Sequence, residues 1–391
     1  AQGPPFIRAP EGARTVFLVT LAAACGPMLA GIVLFGWRAA FIAAISVLSC
    51  AAIERLYYRV RRTPALLGRS HAYLTGVLLA MTLPPFVAWY VPVVAAAFAI
   101  IVGKAVFGGV GHFLWQPALV GRLAVAVIFA GPGAGRMTPR YWPVLAQDKL
   151  LVGDIMRAAR VENYRQWRNR SAPPGADAFK LTPPADILAS LTSTREPAFS
   201  GLCTPASVPR AKPAALMKLP PLSDLLYGAR PGGIGETCAV VIIVAGLYLI
   251  YRNYVKWQLP LAFVGSAAAV VAVWPINLAG HDQATWWPLL AEGLGVGFTY
   301  VNHQLLSGEL LLAALFLAPE TTSRPVTTGG QVLFGTGCGV IAMVLRLYLD
   351  VPVPCYMAIL AMNTVAPKID KLWRPRVFGT KRFEFLRFAK T

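Results

Sequence analysis

Gly108, Gly109 and Gly111 crowd into the run FGGVGHFLWQPALVGR, 107–122, which ends on Arg122. Three glycines so close let the backbone turn sharply and come near another group. Pro117 is then suited to the first turn of a new helix. Arg122 falls inside that helix in an apolar stretch, a costly place unless it is paired or faces water. The run suits a re-entrant turn feeding a half helix, whose N-terminus favours an anion or a dipole. It equally suits a glycine hinge that lets helices pack closely. It is not a dinucleotide fingerprint, because no strand precedes it. A matching run, RPGGIGET, 230–237, places Gly232, Gly233 and Gly235 before Glu236. Glu236 at the start of an apolar stretch can cap free amides or act as an intramembrane carboxylate for a cation or proton. Glu309, two residues past Ser307, poses the same choice: an ion ligand, or an inward carboxylate paired with Arg122 or Arg346. Lys104 either joins such an ion pathway or snorkels to the membrane face. His71, His112, His281 and His303 are scattered, and no cysteine pair has CxxC spacing, so no metal site or disulfide framework is expected.

These groups need a scaffold, and the composition says which kind. Of 391 residues, 56% are apolar and 14% are charged, against roughly 25% charged in soluble domains. Mean hydropathy is +0.57. A soluble enzyme, a disordered tail and a disulfide-rich secreted module are excluded. The apolar residues come in bilayer-length blocks, and the reading is an all-α polytopic membrane protein with about ten spans. The first five lie near 15–36, 39–58, 71–85, 87–106 and 116–131. The second five lie near 236–252, 258–275, 304–319, 330–349 and 351–366. Residues 1–14 are polar, so no cleavable signal is expected there and the first block is expected to be a retained span. The organisation expected is an N-terminal segment 1–14, membrane repeats 15–131 and 236–366, a Pro-, Arg- and Ala-rich loop 132–235, and a tail 367–391.

The net charge of +19 would suggest nucleic acid in a soluble protein, but its placement gives orientation instead. Arg8 and Arg14, then Arg55, Arg59, Arg61, Arg62 and Arg69, then Lys104, Arg252, Lys256 and Arg324, and the tail from Lys368 to Lys390 all fall on one side of a ten-span topology. The opposite short loops hold little beyond Arg38 and Arg346. Both termini are therefore expected in the cytoplasm, with 132–235 outside. The tail interleaves Phe378, Phe383, Phe385 and Phe388 with basic residues, which suits anionic lipid or a cytoplasmic partner and no nucleic acid. Trp286 and Trp287 suit interfacial anchors.

An internal repeat supports the five-plus-five division. LTGVLLAMTLPP, 74–85, and LSGELLLAALFLAP, 306–319, each pair a small polar residue with Gly and run apolar to a Pro. Five spans per unit make the second copy inverted, and short interrupted spans in corresponding places point to a central site. Both are too short to cross fully, so broken helices facing an interior cavity are expected.

The ordered series FGGVGHFLWQPALVGR, TGVLLAMTLPP, GGIGET before a span ending LYLIYR, KWQLPLAF, LLSGELLLAALFLAPETTSRPVT and AMNTVAPKID resembles one family, as does the opening PFIRAPEGAR. That family is RnfD of the Rnf electron-transport complex, together with its relative NqrB of the sodium-pumping NADH:quinone oxidoreductase. The match covers nearly all membrane segments. The resemblance implies a ten-span component of a bacterial inner-membrane redox pump, beside other membrane subunits and a flavin-bearing partner, moving Na⁺ or H⁺ as electrons pass. It implies a component of an ion-translocating oxidoreductase rather than an enzyme by itself. It also implies FMN linked through phosphate to a threonine before span six, and room for a second flavin.

This sequence departs from that pattern in two places. The attachment segment here is PAFSGLCTPAS, 197–207. Ser200 and Gly201 match, Pro197 replaces the acid, Leu202 replaces an alanine, and Cys203 stands where the threonine belongs unless one residue is inserted. With that insertion Thr204 is the flavin-bearing residue; a phosphoester needs a hydroxyl, which Cys203 lacks. Phe113 and Gln116 stand where the family has asparagines. Glu320 occupies the place of a family acid, though an acid at a helix end is also ordinary. The stretch 275–303 is longer than a simple family loop and is read as a partner contact. Two other functions fit the sequence: a cofactor-free transporter or channel component on the same scaffold, and a membrane anchor for a soluble enzyme.

Overall fold

The computed structural model describes residues 12–62, 68–85, 87–109, 111–129, 188, 222–228, 230, 232–277, 285–287, 289, 294–349, 351 and 353–372. The candidate flavin residues Ser200, Gly201 and Thr204, with most of 132–235, lie outside them, as do residues 1–11 and the tail beyond Leu372.

The described residues are mainly helices joined by turns, with one two-residue strand pairing. Helix α1 (Ala13–Phe35) turns through Gly36 into α2 (Trp37–Arg61). Helix α3 (Gly68–Thr82) is followed by α4 (Tyr90–Ala97), which continues as a π-helical stretch Phe98–Ala105, and then by α5 (Pro117–Ile128). After the short α6 (Leu222–Tyr227) come α7 (Ala239–Tyr251) and α8 (Gln258–Val273). Strands β1 (Ile276–Asn277) and β2 (Thr285–Trp286) pair antiparallel, with Ile276 opposite Trp286. Helix α9 (Leu294–Leu306) leads into a single turn α10 (Leu310–Leu312) and a π-helical stretch Ala313–Leu317. Helices α11 (Thr328–Tyr348) and α12 (Pro354–Leu372) close the described chain.

Residues Arg14–Phe35, Trp37–Arg61 and Thr328–Tyr348 are each long and apolar enough to cross a membrane. The outward faces of these and neighbouring helices are apolar: Leu29, Val33, Leu48 and Leu56, then Val244, Leu247 and Leu261, are all exposed. Exposed aliphatic faces on this scale suit lipid, not water. The chain is a multi-pass membrane protein whose described residues are predominantly helical.

Glycine lets the helices touch backbone to backbone. A Cβ on Gly339 of α11 would lie 2.1 Å from Ser266 Oγ and 2.4 Å from Phe263 O of α8. One on Gly31 of α1 would lie 1.8 Å from the carbonyl oxygen of Ile234. With no hydrophobic drive between helices in lipid, such small-residue seams carry the packing.

The short elements differ from the sequence pattern in one respect. The pattern makes span eight one stretch, 304–319, and 275–303 a long loop. Instead α9 occupies Leu294–Leu306, mostly inside that loop, and the chain breaks at Ser307–Glu309, where Gly308 has φ 74°. The helical period of 294–306 is masked by its glycines and its polar Thr299, Asn302 and His303.

Candidate functional site

Broken helices expose backbone groups that lipid cannot satisfy, and here buried charges satisfy them. Helix α3 ends at Thr82, whose carbonyl accepts from Arg122 Nε at 3.0 Å. The GGIG turn docks on the same end: Gly235 N donates to Met81 O at 2.8 Å and Ile234 N to Leu83 O at 3.0 Å. Helix α9 ends beside Arg346, whose Nη1 donates to Gln304 O at 2.8 Å, with a longer contact from Nη2 to Ser307 O at 3.5 Å.

The acids act on the opposite, amide-bearing ends. Glu309 Oε1 accepts from Cys355 N at 2.5 Å, at the start of α12. Glu236 Oε2 accepts from Gly233 N at 3.2 Å, and its Oε1 accepts from the Tyr356 hydroxyl. Arg230 braces the same turn, its Nε donating to Thr237 O at 3.2 Å and its Nη2 to Glu236 O at 2.5 Å. The structure thus brings Arg122, Glu236 and Glu309 into one buried centre. Of the two roles left open for Glu309, direct pairing with Arg122 or Arg346 is not made: backbone carbonyls at the helix breaks hold both guanidiniums, which act on Glu309 only through charge. Arg122 Nη1, Thr237 Oγ1 and Ser307 Oγ are buried with no partner.

The glycine motif lies elsewhere. Gly108, Gly109 and Gly111 have φ of 100°, 101° and 92°, the left-handed region that glycine enters freely. The turn delivers the chain to Gln116, whose Oε1 accepts from Leu119 N at 2.9 Å and caps α5 ahead of Pro117. Gln116 Nε2 is buried without a partner. Trp115 Nε1 donates to Thr364 Oγ1 at 2.9 Å, tying the turn to α12.

A second charged cluster sits near this turn. Lys104 does not snorkel. It is 2% exposed, and its Nζ donates to Glu54 Oε2 at 2.7 Å. Its position on the π-helical stretch turns it inward toward α2. His71 Nε2 lies 3.1 Å from Glu320 Oε1, with both side chains buried. Phe113, where the family pattern has an asparagine, packs on His71 with ring centroids 5.3 Å apart. Just outside the membrane segments, burial pushes the Arg324 guanidinium below its usual range, and its Nη2 donates to Tyr254 O at 3.3 Å.

Sequence reasoning misses Glu54, Arg230 and Tyr356 and leaves His71 among scattered histidines. Glu54 is readable as an ionisable residue in an apolar span, but it adjoins Arg55 and merges with the basic loop. Among the described residues no group of three or more His, Cys, Asp or Glu could hold a metal.

Residues 1–379 match the NQR2, RnfD, RnfE family. The D component of an ion-translocating oxidoreductase complex from Halorhodospira halophila is 30% identical over 380 residues, covering 97% of this chain and 95% of that protein. The D component of a proton-translocating ferredoxin:NAD(+) oxidoreductase complex from Clostridium ljungdahlii is 28% identical over 383 residues, covering 97% and 95%. A Na(+)-translocating counterpart from Acetobacterium woodii is 27% identical over 388 residues, with the same coverage.

Proposed function

The chain belongs to the NQR2, RnfD, RnfE family, and on that footing we propose that it is the RnfD-type membrane component of an Rnf-like electron-transport complex, coupling electron transfer to Na⁺ or H⁺ movement. The observation that carries the reading is end-to-end similarity to the D components of ion-translocating complexes, 30% identical over 97% of this chain in one case. The buried centre of charges at broken helix ends supports the ion part, since such residues at membrane depth mark ion paths. In this reading ten spans form two inverted halves in the bacterial inner membrane, both termini are cytoplasmic, and the partners are other membrane subunits and a flavin-bearing one. The basic tail meets anionic lipid.

Glu236, Glu309 and Lys104 line the ion pathway. FMN is carried on Thr204, with Ser200 and Gly201 shaping the attachment loop. The turn at Gly108, Gly109 and Gly111, and the helix α5 that runs from it to Arg122 in the buried centre, together offer the seat of a second flavin. The unpartnered donors Gln116 Nε2 and Arg122 Nη1 suit a group rich in acceptors. Bound flavin supplies one- and two-electron transfer; the chain's own residues hold and orient it.

Mass spectrometry of the intact chain tests the attachment: an FMN-sized adduct on 197–207, lost in Thr204→Val, is expected. An unmodified chain from a functional complex would remove the covalent claim. The altered loop, with Pro197 and Cys203, favours a second reading, a cofactor-free transporter component. Redox-independent flux in liposomes would select it over the first.

A further inference from the structure

The hydrogen bonds around His71 fix how many protons the site holds. Thr75 Oγ1 lies 2.9 Å from His71 O, one helical turn back, and 3.2 Å from His71 Nδ1. A helical threonine gives its one hydroxyl proton to that carbonyl, so toward the imidazole it can only accept. Nδ1 must then carry a hydrogen. On the other side, Nε2 faces Glu320 Oε1 at 3.1 Å. A bare ring nitrogen and an ionised carboxylate oxygen are both acceptors, so a second hydrogen must lie between them.

We propose that His71 and Glu320 together form a proton-binding site, holding one proton beyond a neutral imidazole and a carboxylate, separate from the Glu236–Glu309 centre. Charge balance argues the same way. Among the charged groups facing the pair, Lys104 is already matched by Glu54 at 2.7 Å, so an ionised Glu320 beside a neutral His71 would leave one buried negative charge uncompensated. Such a charge is neutralised rather than tolerated. Among the described residues the ring contacts are apolar: Phe17 meets the ring edge-on at 5.0 Å, and Phe113 covers it. Arg324 reaches Tyr254 O, not the carboxylate. Glu320 Oε2 is buried without a partner. A cavity of about 20 Å³ lined by Phe17, Thr20, Leu74, Tyr254, Pro319 and Glu320 has room for about one water.

The meaning for transport rests on the ion-coupled reading above; the occupancy does not. The test is nitrogen-15 NMR of the histidine-labelled full-length chain at neutral pH, with His71→Gln assigning its signal among four histidines. A protonated Nδ1 is expected in the wild type. It should persist in Thr75→Ser and be lost in Thr75→Val, while the other histidine signals stay unchanged as the control for folding. An unprotonated Nδ1 in the wild type would overturn the proposal. So would loss of the extra proton on exchanging choline for sodium, which would assign the site to a metal cation. Electron transfer by the assembled complex is measured separately; its failure would sink the functional reading and leave the Nδ1 result standing.

Discussion

At the scale of single residues, the buried charges divide into those that meet backbone and those that meet each other. Arg122 serves a carbonyl at a helix end, and Glu309 serves an amide at a helix start. Removing Arg122 leaves the Thr82 carbonyl short of a donor, so Arg122→Leu should cost about 1–3 kcal/mol. Thermal unfolding in detergent checks this, and Arg122→Lys should recover part of the loss. Lys104 and Glu54 answer each other instead. Lys104→Met leaves a carboxylate buried alone, at a cost of about 3–5 kcal/mol. Adding Glu54→Gln should recover most of it, and a double mutant as unstable as Lys104→Met would refute the pairing. The sequence offers Arg122, Lys104, Glu236 and Glu309 as candidates, because a charge in an apolar run stands out. It cannot offer their partners. Thr82 O and Cys355 N are backbone atoms, and Glu54 lies 50 residues from Lys104. Partnership over such separations is a property of packing.

At the scale of elements, legibility follows the hydrophobic pattern. Helices α1, α2 and α11 are long apolar runs and fall close to where the pattern puts them. The short helix after FGGVGHFLWQ is also readable, because glycine and Pro117 punctuate it. A broken helix in 306–319 is readable from its shortness, but the place of the break, Ser307–Glu309, is not, since SGE lies inside a nearly unbroken apolar run. Close packing of elements gives a sharper test. Gly339 has no space for a side chain against Ser266 and Phe263 of α8, so Gly339→Leu must push α8 from α11. Overpacking of this kind costs about 1–3 kcal/mol. Gly265 has nothing within 4 Å of a built Cβ, so Gly265→Ala should stay within about 0.5 kcal/mol of wild type. Equal melting temperatures for the two variants would mean that α8 and α11 are not held at this seam.

At the scale of the whole molecule, contacts sort the helix ends onto two faces. Arg55 Nη2 donates to the Tyr73 hydroxyl at 3.2 Å and Tyr57 to Ala105 O at 3.2 Å, linking the end of α2, the start of α3 and the end of the π-helical stretch. His71 meets Glu320, Arg324 meets Tyr254 O, and Val326 N donates to Asp370 Oδ1 at 3.1 Å. All of these neighbour the basic segments that the charge pattern assigns to one side. On the other face, Tyr348 donates to Pro275 O at 2.6 Å, joining the ends of α11 and α8, and Arg38 sits 5.8 Å over the Trp37 ring. The first face carries Arg59, Arg61, Arg62 and Lys256, all exposed. Short loops rich in Lys and Arg are retained on the cytoplasmic side, so this face should be cytoplasmic, and with it the end of α12 and the tail beyond it. A fluorescent protein fused after Thr391 should glow in intact cells, and alkaline phosphatase fused there should be inactive. The same pair inserted within 132–235 should behave in reverse, because the ten-span reading puts that segment outside. An active phosphatase at the C-terminus would invert the whole arrangement. It would also put the His71–Glu320 pair, which shares the basic face, at the outer rather than the inner end of any ion path.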